Sequence, residues 1–204
     1  GTVISVGASI GVPAGKWQGQ KVNLSQDLAS MLAAAADPTR AIGILGSEVF
    51  DGYRSTLKAL AFRAYRQSRA YWPDATQSGF DKQNVRDGHY HLWSYTHWLM
   101  RSDAMGNPRS ARAQRVIDVL VGNAVTPLAG FEPLESTVRV GLVPRCAMKV
   151  SRSSEGGDFS LFAAPQPCGC YFEYTATGKT SCSRCSSDAT CGGGVCRHGF
   201  CEER

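Results

Sequence analysis

A chain of 204 residues, 43% hydrophobic and 19% charged, has the composition of an ordinary globular protein and the length to bury a real core. Its net charge of +5 is mild and its lysines and arginines are scattered, which argues against nucleic acid as a partner. No apolar run approaches the roughly 20 residues that span a bilayer, and the chain opens on Gly1-Thr2 without a methionine, so processing or fragmentation of the N-terminus is expected.

Gly1 to Val12 is small and apolar, and Pro13 to Gly19 reads as a turn. Val22 to Ala36 is the best helical stretch. Ser25 suits its N-cap, Asp27 its first turn, and Leu24, Leu28, Met31, Leu32 and Ala35 form one apolar face. Asp37-Pro38 ends it. Ala41 to Gly46 reads as a short buried strand, with glycines where backbone passes closely. Ser55 to Phe62 reads as a second strand, with helix as its alternative.

A polar turn from Asp81 to Gly88 then leads into an aromatic run. Odd positions give His89, His91, Trp93, Tyr95 and His97; even ones give Tyr90, Leu92, Ser94, Thr96 and Trp98. Rings on both faces predict a strand covered on both sides. Ser110 to Val121 is an amphipathic helix, with Ala113, Val116, Ile117 and Leu120 inward and Arg112 and Arg115 outward; Gly122-Asn123 is its stop signal.

Asn84-Val85-Arg86-Asp87-Gly88-His89-Tyr90 before a strand resembles a crossover of type-2 periplasmic solute-binding proteins, the phosphate-binding branch of ABC transporters in particular. The order of elements over residues 1 to 125 resembles the later part of that two-lobe fold. In the family a Ser-Gly-Thr turn at a helix N-terminus holds the bound oxyanion. Gly1-Thr2 stands in that place, followed by Ile4, Ala8, Ile10 and Val12 on the implied helix. The resemblance implies an α/β protein carrying part of the two-lobe solute-binding fold over residues 1–145. It further implies recognition of phosphate or a similar oxyanion, with Gly1, Thr2, Arg86 and Asp87 at the ligand. The family's first lobe and the serine before Gly1 are missing. A partner lobe is therefore expected, as a preceding segment or a separate chain.

All eight cysteines lie in residues 146–204: Cys146, Cys168, Cys170, Cys182, Cys185, Cys191, Cys196 and Cys201. An even, clustered, Gly-rich set reads as a disulfide framework, hence a periplasmic, extracellular or cell-surface protein. Eight cysteines allow 105 pairings, and spacing does not choose among them. Cys182-x-x-Cys185 could instead open a zinc or redox site, but no second C-x-x-C follows. The run Asp188 to Glu202 resembles small cysteine knots on secreted and surface bacterial proteins, notably of myxobacterial type. Cys168 and Cys170 would tether that knot to the main domain, with Cys146 as a partner from the boundary.

Three further sets carry chemistry only on their less economical reading. His89, His91 and His97 share a strand face, but a straight strand holds His97 about 20 Å from His91, too far for one ion, so aromatic packing is their default. Arg63, Arg66 and Arg69 would form a stripe if helical, and a solvated face explains it. Arg86-Asp87 is explained equally well by a turn closed by Gly88. No nucleophile elbow, P-loop or H-E-x-x-H is present, so neither catalysis nor a cofactor is expected. The second functional reading is an interaction protein, in which the fold is a scaffold for homo- or hetero-assembly or adhesion.

Overall fold

The structure, a computed structural model, describes residues 2–121, 123 and 130–203. Contacts divide the chain into two compact units, Gly1–Ser94 with Ser151–Ser160, and Tyr95–Val150 with Leu161–Arg204. The boundary expected near residue 145 falls inside the second unit.

The first unit opens on helix α1, Thr2–Ile10. The helix ends in a tight return, Val12 N–H donating to Gly7 O at 2.9 Å, with Gly11 at φ +70, where a Cβ would be strained. Helix α2, Ser25–Ala33, follows the predicted apolar spacing. Its cap is Leu24 rather than Ser25, without a side-chain bond, and Leu24 and Met31 are exposed. Gly43 passes directly over this helix: a Cβ there would lie 2.6 Å from Leu32 Cδ1. The close approach is as expected, but residues 41–46 are not a strand, because no neighbouring backbone supplies a ladder.

Helix α3, Ser47–Phe50, runs into a 3₁₀ turn, Asp51–Tyr53. Residues 55–61 then form neither strand nor helix. One antiparallel bridge pairs Phe62 with Tyr71 and closes the loop between them. Arg63, Arg66 and Arg69 lie on that loop, exposed, with Arg66 at φ +68; they form no helical stripe. Helix α4, Gln83–Arg86, is a single turn.

The aromatic run 89–100 is not a strand. Its carbonyls are taken by a side chain instead of a neighbouring strand. Arg152 Nη2 donates to His91 O at 2.7 Å and Nη1 to Trp93 O at 2.9 Å. The same guanidinium lies 4.5 Å from the Trp93 ring centre and 4.3 Å from that of Phe159, and the two rings stack at 5.6 Å. Arg152 and Phe159 belong to β1, Val150–Arg152, and β2, Phe159–Leu161, which pair as a two-stranded sheet.

The second unit holds α5, Ala111–Val121, as its spacing predicts: Leu120 is buried, and Arg112 and Arg115 face water. Ser110 Oγ accepts from Ala113 N at 3.2 Å and caps the start. Asn123 N donates to Asp118 O at 2.8 Å beyond the last turn. Helix α6, Pro133–Arg139, is capped by the Glu132 carboxylate, which accepts from Leu134 N at 3.1 Å. Leu134 and Val138 pack with Cys146, Ala147, Cys168 and Phe172 of α7, Gly169–Thr177, in one apolar core. Strands β3, Val195–Arg197, and β4, Phe200–Glu202, form an antiparallel hairpin. Its two turn residues, His198 and Gly199, are both at positive φ, which matches the twist of the strands.

Four disulfides bind the second unit: Cys146–Cys168, Cys170–Cys182, Cys185–Cys196 and Cys191–Cys201. The molecule is thus a mixed helix and short-strand protein with a disulfide-stapled C-terminal region. Both sheets among the described residues have two strands.

Candidate functional site

The best-built polar site lies in the first unit, around Asp74. Tyr71-Trp72-Pro73-Asp74 enters it from the Phe62 bridge, and Asp81 to Tyr90 closes over it. Asp81 Oδ1 accepts from Ala75 N at 2.8 Å and from Gln83 N at 3.0 Å, which folds the intervening loop and starts α4. Asn84 Nδ2 donates to Asp74 O at 2.6 Å, and Tyr90 N to Asn84 O at 2.8 Å. Lys82 sits at φ +46, a conformation that costs an L-residue about 1–2 kcal/mol. Its N–H donates to Asp74 Oδ1 at 2.8 Å, and that bond helps hold it there.

Side chains complete an ionic ring. Lys82 Nζ lies 2.9 Å from Asp51 Oδ2 and 3.3 Å from Asp74 Oδ1. Arg54 Nη2 lies 2.6 Å from Asp51 Oδ1 and 2.8 Å from Asp74 Oδ2, with Nε donating to Asp51 Oδ1 at 2.7 Å. The 3₁₀ turn sets this up by placing Asp51 and Arg54 three residues apart on one face. Asp74 is 0% exposed and Lys82 3%, so two acids and two bases balance each other out of water. Tyr90 packs alongside: burial first, and the Asp74 charge second, raise its hydroxyl pKa above the ordinary value.

Arg54 links this ring to a neighbouring cleft. Its guanidinium is sandwiched between Phe50 at 4.6 Å and Phe80 at 4.4 Å from the ring centres. Nη1 is buried and has no hydrogen-bond partner. The side chain borders a cleft of about 360 Å³ whose other walls are Phe50, Leu57 and Phe80, with Ser55, Lys58, Gln77 and Ser78 at the polar edge. No carboxylate lines it, and among the described residues Lys58 makes no ion pair. Lys58 supplies the uncompensated charge, and with two hydroxyls and an amide beside the ring-held Arg54 the cleft can neutralise and hydrogen-bond a small anion.

The residues expected at a ligand are placed as follows. Gly1 lies outside the described residues. Thr2 begins α1. Arg86 ends α4, is 3% exposed and donates from Nη1 to Asp81 O at 3.4 Å, so it belongs to the shell that folds the Asp74 loop. Asp87 is the C-cap of the same turn. Arg54 and Lys58 were not singled out in the sequence. The available signal was the Asp51–Arg54 spacing within a stretch flanked by Phe50 and Leu57.

The histidines pack as rings: His89 stacks on Tyr71 at 4.9 Å, and His91 meets Phe159 edge-on at 4.8 Å. His97 belongs to the second unit and is exposed. Cys185, Cys191 and Cys201 bring their sulfurs within 4.8 Å of one another, but each is in a disulfide and none offers a thiolate. The bridges among all eight cysteines fit an oxidising periplasmic or extracellular environment. Among the described residues no helix is long and apolar enough to cross a membrane.

No family model matches the chain, and neither a curated protein nor a solved structure matches it.

Proposed function

We propose that this is a periplasmic or secreted binding protein that takes phosphate or a similar oxyanion without transforming it, in the cleft beside Arg54. The carrying observation is the Arg54 guanidinium. Asp51 and Asp74 fix it through Nε and Nη2, Nη1 is buried without a partner, and the side chain lines a carboxylate-free cleft. An immobilised guanidinium loses little freedom on binding, which favours affinity. Lys58 adds the net charge, and Ser55 and Ser78 add donors.

The cleft is wide for phosphate alone. A partner lobe covering it would fit the solute-binding reading and the exposed apolar side chains of the first unit, Ile4, Leu24, Ile42 and Leu60. The same side chains favour the second reading, a scaffold for assembly. Titration calorimetry with inorganic phosphate and sulfate separates the two. The binding reading expects a saturable isotherm that is lost in Lys58→Glu and weakened in Ser78→Ala. No heat from either anion, together with self-association in native mass spectrometry, sinks it and leaves the scaffold.

A further inference from the structure

We infer that the loop of residues 98–109, in the second unit, is a docking element for an anionic lipid surface. Three large apolar side chains stand in water on it: Leu99 is 95% exposed, Met105 84% and Trp98 52%. Single exposed apolar residues are ordinary, but three within eight positions on a fixed loop are not.

The loop is fixed by its own polar groups. Asp103 N donates to Asn107 O at 2.9 Å and Arg109 N to Arg101 O at 3.0 Å, with Ser102 bridged to Pro108 between them. Asp103 Oδ1 accepts from Met105 N and Asn107 N, both at 2.9 Å, and Oδ2 from Asn107 Nδ2 at 3.2 Å. The single carboxylate of residues 98–115 is thereby engaged by the loop's own amides.

Charge chooses the occupant. Arg101, Arg109, Arg112 and Arg115 are exposed, and among the described residues none makes an ion pair. Four unpaired guanidinium groups beside Trp, Leu and Met tips match the layering of an anionic bilayer. The apolar tips enter the acyl boundary, the indole sits at the headgroups, and the arginines meet phosphates. This site shares no residue with the Arg54 cleft.

The test is co-sedimentation of the oxidised full chain with phosphatidylcholine vesicles, with and without phosphatidylglycerol. Binding is expected only with phosphatidylglycerol and is expected to weaken as salt rises. Each Arg→Gln change at 101 or 109 should weaken it about fivefold. Leu99→Asp with Met105→Asp should abolish it while leaving the circular dichroism melt unchanged, since both side chains are in water. Brominated lipid should quench fluorescence in the wild type and not in Trp98→Phe. Absence of binding, equal binding to phosphatidylcholine alone, or binding that survives the double aspartate change overturns the proposal. So does capture of an acidic protein in place of the vesicles.

Discussion

In the first unit the most deeply buried large groups are ionic, namely Asp74, Lys82, Arg86 and Arg152; in the second they are Leu134, Phe172 and Phe200, with the sulfurs of Cys146 and Cys168. The first unit therefore rests on matched charges whose strength depends on every partner being present. The second rests on apolar contact and covalent links, which degrade piecemeal. Glu202, the second unit's deeply buried charge, shows the difference. Its carboxylate accepts from Cys170 N at 2.9 Å and Tyr171 N at 3.1 Å and closes the hairpin onto the start of α7.

Removing one ring member should be the most damaging change. Asp74→Ala leaves Lys82 and Arg54 sharing the single carboxylate of Asp51, at a cost of about 3–5 kcal/mol. The double change Asp74→Leu with Lys82→Met should cost less than the single one, because two apolar groups replace a charge pair. Trp17, Trp72 and Trp93 lie in the first unit and Trp98 alone in the second, so urea melts of Trp98→Phe report the first unit. A double variant no better than the single one would show that the ring is not what holds this unit.

Next in size is the link inside the second unit's core. Cys146→Ala with Cys168→Ala releases a 22-residue loop, a loss of about 3 kcal/mol. Thermal unfolding in the far ultraviolet should show one transition falling and the other unmoved. Both transitions shifting together would mean that the units do not melt separately. Glu202→Ala should cost about 2 kcal/mol, through the buried α7 amides it leaves unmet. Glu202→Ala melting like the wild type would remove the hairpin from the account of α7.

The smallest expected effect is one of pH, and each unit carries a reporter. The pKa of His91 is lowered by burial, then by the Arg152 charge and by His89; that of His198 is lowered chiefly by burial, with Arg197 adding and Glu132 opposing. A lowered folded pKa means that the unfolded chain binds protons first. Stability from each histidine is thus fully present above about pH 6.5 and declines as pH falls through the folded value. Denaturant midpoints from pH 7.5 downward should fall, and His91→Phe should flatten that slope for the first unit. A midpoint that rises on acidification contradicts the assignment.

Parts of the candidate site were legible beforehand. The polar turn at Asp81 to Gly88 was expected and is where the site closes, and Arg86 was singled out and lies in its shell. Arg54 and Lys82 escaped because their roles depend on Asp51 and Asp74. Lys82 reaches a carboxylate 31 residues away, a distance over which local spacing carries no information. The aromatic run misled for a related reason. Alternating rings favour a strand only when a partner strand takes the carbonyls, and here Arg152, 61 residues from His91, takes them first.

By itself the sequence determined α5, the helical character of residues 25–33, the close passage of Gly43 and the bridging of the cysteines. Each is set by local periodicity, by the lack of a side chain, or by composition. Tertiary structure alone decided the four disulfide pairs, the exchange of an expected strand for an arginine-bound coil, and the ionic ring at Asp74. Those depend on which distant groups meet, and desolvated charges and carbonyls take whatever partner the fold delivers.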